Sequence, residues 1–190
     1  MKERKKIPNC TVVFQNDVTV EELVTMFPKG FDGDIVIFGE LINSAPNSEN
    51  TIYGNVYLIG EDTSLDAICG STGDSLTIMG DLYSGKAIDL CAIDLKIAGD
   101  FVCKDEVNGF GSTITVDGDT TIEGGIYNIE KFNVGGDLYV AYDLDVWCIN
   151  VMGSVKVEEG YVDYTELNVG YEFTGDDFEV QGIKKIGILL

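Results

Sequence analysis

The sequence predicts an all-β fold, a single-stranded parallel β-helix of about seven to eight coils with a short N-terminal capping helix. Three observations carry that prediction. Glycine recurs at positions 39, 60, 80, 99, 118, 136, 153 and 170, with spacings of 21, 20, 19, 19, 18, 17 and 17 residues. Such a drifting period marks a repeat architecture. Apolar residues keep station ahead of the glycine: Ile35, Val56, Leu76, Leu95, Ile114, Phe132 and Ile149 stand four before it, and Ile37, Leu58, Ile78, Ile97, Val116, Val134 and Val151 two before it. That period of two means strands with one face buried. Each copy is also too short for a strand plus a crossover helix, which needs roughly 30 residues. The single Asn-Gly pair, Asn108-Gly109, is not repeated as a meander of hairpins would require.

One copy per coil is the remaining solution, with like residues stacked as inward ladders about 4.8 Å apart. A third column lies eight residues after the glycine: Ile68, Ile88, Val107, Ile126, Leu144 and Tyr161. The last copy slips by one residue, placing Leu167 and Val169 ahead of Gly170. The glycine suits a corner that needs a positive φ or a close backbone approach.

In chain order, residues 1–33 read as an N-terminal tail and capping helix, 34–181 as the solenoid and 182–190 as an apolar strand or tail, all in one structural domain. Cys10–Phe14 reads as a short strand. Thr19 and Glu22 have the spacing of a capping box. The helix they open carries Val20, Leu23 and Phe27 on one face and stops before Pro28 and Gly30. It would cover the open first coil, whose strand edges are otherwise bare. Residues 43–50 (NSAPNSEN) have loop composition and read as a projecting insert. The end, GIKKIGILL, reads as a final strand closing the core or as an edge through which copies associate.

A formal net charge of −21 disfavours nucleic acid and anionic membrane as partners. The basic residues Lys2, Arg4, Lys5, Lys6, Lys184 and Lys185 sit near the ends, so the acidity is concentrated between them. The five cysteines, at positions 10, 69, 91, 103 and 148, form no CxxC pair. They read as free buried thiols of a reducing compartment. No apolar run approaches the roughly 18 residues of a membrane span, and MKERKK lacks the apolar core of a secretory leader. A cytoplasmic protein is expected.

The regular polar feature is an acid after the glycine: Glu40, Glu61, Asp81, Asp100, Asp119 and Asp137. Stacked carboxylates about 5 Å apart repel by about 3 kcal/mol at an effective dielectric of 20. They must be solvated, paired with backbone N–H groups, or bridged by cations. Asp commonly bonds backbone in turns, which favours the second solution; a cation ladder on Asp81, Asp100, Asp119 and Asp137 is the alternative. The calcium-binding nonapeptide pattern is absent, Gly135-Gly136-Asp137 being too compact.

The chain has no histidine, which removes the usual general base, the Ser-His and Cys-His dyads and most zinc sites. No catalytic residue, cofactor or resident metal is expected. Asp176 and Asp177 are similar to the paired aspartates of polygalacturonase-like enzymes, without the histidine those sites use, so a polysaccharide-acting or carbohydrate-binding protein is an alternative. Hexapeptide acyltransferases are disfavoured by the missing histidine and missing six-residue step. A pentapeptide pattern appears only at Ala87–Lys96, leaving an acidic inhibitor or DNA mimic as a further alternative. Tyr83 and Tyr139 occupy one step with Val102 and Thr121 between them, and Tyr142, Trp147 and Tyr164 are candidates for one binding flank.

The phrases LTIMGDLYSG, LKIAGDFVCK and FNVGGDLYVA resemble the core of bactofilins, the bacterial polymer-forming cytoskeletal β-helices. The resemblance covers residues 34–164 and implies a right-handed β-helix that assembles end to end without nucleotide. The helical cap, the loop insert and the acidity depart from it, and a capped end would block half of such a polymer. The expectation is a non-enzymatic structural or protein-interaction solenoid, with a protein partner or its own copy bound.

Overall fold

The computed structural model describes residues 10–31, 33–43, 49–59, 68, 69, 74–181 and 186–188, with the side chains of 68, 69, 176–181 and 186–188 left aside. Each turn of the chain has three sides. The first coil holds β1 (Cys10–Phe14), β2 (Val18–Thr19) and a helix, α1 (Val20–Met26). The next holds β3 (Gly33–Ile37), β4 (Leu41–Ile42) and β5 (Glu49–Ile52). Then come β6 (Asn55–Leu58), β7 (Ile68–Cys69) and β8 (Asp74–Ile78), followed by β9 (Leu82–Ser84), β10 (Ile88–Cys91) and β11 (Ile93–Ile97). The following coil is β12 (Phe101–Cys103), β13 (Val107–Phe110) and β14 (Thr113–Val116).

From there the corner between the second and third sides becomes continuous strand. β15 (Thr120–Ile122) is followed by β16 (Ile126–Val134), and β17 (Leu138–Val140) by β18 (Leu144–Val151). A single strand, β19 (Val155–Val169), covers all three sides of its coil, and β20 (Phe173–Gln181) with β21 (Ile186–Ile188) ends the stack. Every strand pairing is parallel and joins one coil to the next. The chain is a single-stranded parallel β-solenoid.

The interior is built by the alternation. Leu76, Leu95, Ile114, Phe132, Ile149 and Leu167 stack on the third side, and Ile78, Ile97, Val116, Val134, Val151 and Val169 run beside them. All of these are buried. Burying a Val, Leu, Ile or Phe side chain stabilises by about 1.5–3 kcal/mol, and this continuous apolar column is the main force holding coil on coil. The one-residue slip expected before Gly170 is present, since Ile149 pairs with Leu167 and Val151 with Val169.

The first copies thread differently from the sequence reading. Ile35 and Val56 stack on each other, but Val56 continues to Leu82 on the first side, not to Leu76 on the third. The sides share the same alternation before a glycine, so pattern alone could not separate them. The second-side column holds Ile88, Val107, Ile126 and Leu144 and then takes Val162, not Tyr161. The ladder also starts earlier than residue 34: β1 pairs with β3 in full register, from Cys10 with Gly33 to Phe14 with Ile37.

The helix forms where expected. The Thr19 hydroxyl accepts the Glu22 N–H at 3.2 Å, and the Glu22 carboxylate accepts the Thr19 N–H at 2.9 Å. The Thr19 N–H bond, and then a bond that the Thr19 hydroxyl donates to the same carboxylate at 3.1 Å, hold the Glu22 carboxyl below its ordinary range. Val20 and Leu23 are buried, and Phe27 packs half-buried against the core. α1 caps the stack from within its first coil: it occupies that coil's third side and lies beside β5. Within the segment expected as a projecting loop, Glu49 and Asn50 belong to β5, while residues 44–48 lie outside the described residues.

Candidate binding surfaces on the coil wall

The acid after the glycine is a staple between coils. On the corner between the third and first sides, the Asp81 N–H donates to Asn55 Oδ1 at 3.0 Å. The Asp100 N–H donates to Asp81 Oδ1, Asp119 N–H to Asp100 Oδ1 and Asp137 N–H to Asp119 Oδ1, each at 2.9 Å; Ser154 N–H closes the run on Asp137 Oδ1 at 2.8 Å. One oxygen of every carboxylate is therefore bonded to backbone one coil along, a charge-assisted bond. Glu40 belongs to a different corner, where its N–H donates to Asp17 Oδ1 at 2.9 Å, and Glu61 lies outside the described residues. The same staple recurs there as Tyr161 N–H on Asp143 Oδ1.

The glycine exists because of the staple. A Cβ on Gly118 would strike Asp100 Oδ1 and come within 2.8 Å of the Gly99 carbonyl oxygen. The requirement is close approach, since Gly118 has no positive φ. With backbone holding Asp81, Asp100, Asp119 and Asp137, a divalent cation is not needed to reconcile their charges. Chelation with EDTA should leave the melting temperature unchanged, and a fall of many degrees would show that these four aspartates carry bound metal.

A second polar row went unnoticed in the sequence. Asn133 donates through Nδ2 to Thr115 Oγ1 at 3.1 Å, Asn150 to Asn133 Oδ1 at 2.9 Å and Asn168 to Asn150 Oδ1 at 2.8 Å. The available signal was the recurring Asn-Val of FNV, INV and LNV. On the first side Tyr83, Val102, Thr121 and Tyr139 stack in the expected order. Tyr57 joins them, its ring 6.1 Å from that of Tyr83, and Lys156 lies 5.7 Å from the Tyr139 ring centre.

A concavity lies at the corner between the second and third sides. It is a groove of about 500 Å³ whose lining includes Phe110, Glu130, Asp145, Trp147, Asp163 and Tyr164. Its origin is the shortening period. Val107, Ile126 and Leu144 stack on the second side, while Thr113, Lys131 and Cys148 stack on the third. The chain between the two sides therefore loses one residue at each of those steps, and the wall recedes.

The change of phase is made at Asn128, which has φ 59° and a register shift beside it. Asn tolerates that left-handed region better than most residues, and Asn128 Nδ2 donates to Asn108 Oδ1 at 2.9 Å. Beyond it Ile129 turns inward, its Cδ1 filling the space where a Gly109 side chain would stand. Phe110, paired with Ile129, is left 76 % exposed at the groove edge, and Trp147 is 66 % exposed. Trp147 and Tyr164 share this groove as the sequence suggested; Tyr142 is not among its lining residues.

Asp145 and Asp163 are directly paired across β18 and β19, about 4.8 Å apart along the stack. Burial, and then the neighbouring Asp163 charge, raise the Asp145 carboxyl above its ordinary value. Between the ordinary and the raised value the folded chain holds a proton that the unfolded chain has released, so this carboxyl's contribution to stability falls as pH rises through that interval. Next to it, Tyr127 donates its hydroxyl to Asp143 at 3.1 Å; burial and that bond push its pKa up to about 12.

The thiols divide. Cys103 is buried and its thiol is pushed up to about 12, first by burial, which leaves it unreactive. Cys10 and Cys91 are exposed and Cys148 half-buried, so the expectation of buried thiols holds only for Cys103 among those described. Cys91 sits at the edge of β10, where the chain leaves the alternation through Ala92 at φ 49°. Residues 176–180, including Asp176 and Asp177, lie in β20 but their side chains lie outside the described ones. No helix among the described residues is long and apolar enough to cross a membrane.

No protein-family model, curated protein or solved structure matches the chain.

Proposed function

We propose that the chain is a non-enzymatic structural and interaction solenoid that pairs with a second copy of itself through its last coil. The observation that carries this is the difference between its two ends. The last coil is strand on every side that the described residues reach, with β20 and β21 hydrogen-bonded to β19 along one edge. The first coil has strands on two sides and α1 on the third. A strand edge is a template for another strand, and a helix is not. Head-to-tail stacking would set β21 against α1, whereas two last coils can meet edge to edge. That contact is isologous and closes as a dimer. The molecule is thus read as bactofilin-like in coil and in self-association, but ending at two copies instead of a filament.

The charge fits a protein partner better than nucleic acid or an anionic membrane, and the free thiols fit a reducing, cytoplasmic setting. Sedimentation velocity over a wide concentration range should show a monomer–dimer equilibrium. Deleting residues 182–190, which removes β21, should leave a monomer whose circular dichroism retains the β signal. Open-ended filaments in the electron microscope, or a monomer at every concentration, would reject the reading.

A further inference from the structure

The geometry points to a second interaction site, independent of the end coils: the corner groove takes the arginine side chains of a basic peptide segment on another protein. Its chemistry is one-sided. Asp145 and Asp163 stack in consecutive coils on one wall, Glu130 adds a third carboxylate, and none of the described lining residues is basic. Exposed aromatic rings stand at the same groove, Phe110 and Trp147. A guanidinium satisfies both features at once. Its planar fork bonds carboxylates, and its face stacks on aromatic rings more readily than an ammonium does. A volume of about 500 Å³ holds one or two such side chains with their peptide.

Competing occupants use less of the site. A neutral oligosaccharide would stack on Trp147 but leave the paired carboxylates repelling each other across one coil spacing. A divalent ion would use the carboxylates and ignore the rings, and no group of three acidic or thiol ligands suited to one ion exists among the described residues. The raised Asp145 carboxyl adds to the argument from geometry, because a bound cation removes the like-charge repulsion that contributes to the shift.

Trp147 is the chain's single tryptophan, so its fluorescence reads this groove directly. The probe is a hexa-arginine peptide titrated into the full-length protein at moderate salt, with a neutral oligosaccharide, cellohexaose, in parallel. Saturable change in Trp147 emission is expected with the peptide alone. The double substitution Asp145→Asn with Asp163→Asn should weaken it at least about tenfold, equivalent to 1.4 kcal/mol. Phe110→Ala should weaken it as well, and its side chain is too exposed for the fold to depend on it. The charge-matched control Asp94→Asn with Glu172→Gln changes exposed acids elsewhere and should leave the affinity unaltered. Equal weakening by both double variants would mean that the peptide senses only the overall negative field, and would overturn the assignment. Saturation by cellohexaose that survives Asp145→Asn with Asp163→Asn would overturn it in favour of a carbohydrate site. Absence of any emission change with the peptide would reject the site outright. None of these outcomes depends on whether the chain dimerises.

Discussion

Truncation of Phe132 to alanine should cost about 3–5 kcal/mol of folding stability, the range for removing a fully buried aromatic side chain. Phe132 is 0 % exposed and stands in the third-side ladder between Ile114 and Ile149. The coils above and below are fixed at hydrogen-bonding distance along β14, β16 and β18, so they cannot close on the void. Neighbouring side chains are buried too and have partners of their own. For a chain of this size each kcal/mol shifts Tm by roughly 2–4 °C, so the loss should be evident in a thermal scan and in denaturant midpoint. Because each coil touches only its neighbours, amide hydrogen exchange should accelerate most in β14, β16 and β18 and least at the far coils. A loss below about 1 kcal/mol would place residue 132 outside the packed interior and contradict the stacking.

Gly118→Ala should cost about 1–3 kcal/mol or more, although it adds a single methyl. The added methyl meets two obstacles, Asp100 Oδ1 and the backbone of Gly99, whose carbonyl oxygen would be 2.8 Å away and carbonyl carbon 2.9 Å. The side chain can move, at the loss of its bond to the Asp119 N–H; the backbone can move only by spreading the coils. Asp100→Ala alone should cost less, since it removes an exposed acceptor. Combined with Gly118→Ala it should lose less than the two separate costs together, because the oxygen that the methyl strikes is gone. Rescue will be incomplete, as the Gly99 carbonyl remains. Strict additivity in urea unfolding would mean that glycine and aspartate are not one device.

These two results bear on different parts of the sequence. The inward ladder through Ile97, Val116 and Val134 was legible from alternation alone, since period two with one buried face leaves few other folds at this copy length. The pairing of acid with backbone was legible in kind, from the known habit of Asp in turns, although its geometric tie to the glycine was not. Cysteine burial was less legible: Cys91 and Cys103 sit in similar surroundings in sequence, yet only Cys103 falls on the inward step.

The threading of the first coils was not legible, and the reason is specific. Ile35–Gly39 on the first side and Leu76–Gly80 on the third spell the same phrase. The longer passage between Asn55 and Asp81 then let the reading cross from one side to another without breaking the pattern. The groove was hidden for a different reason. Its lining comes from four successive coils, and it opens because single residues drop out at one corner, moving Ile129 inward under an outward Phe110. Sequence spacing recorded that shortening as a drift from 19 to 17 residues but could not say at which corner it fell.

By itself, then, the sequence determined that the chain winds, which residues fill the interior and that acids line a corner, because those depend on local alternation repeated coil after coil. The tertiary structure decided which side each copy occupies, where the wall steps inward and how the ends differ. Those depend on register between coils, a property that no single copy contains.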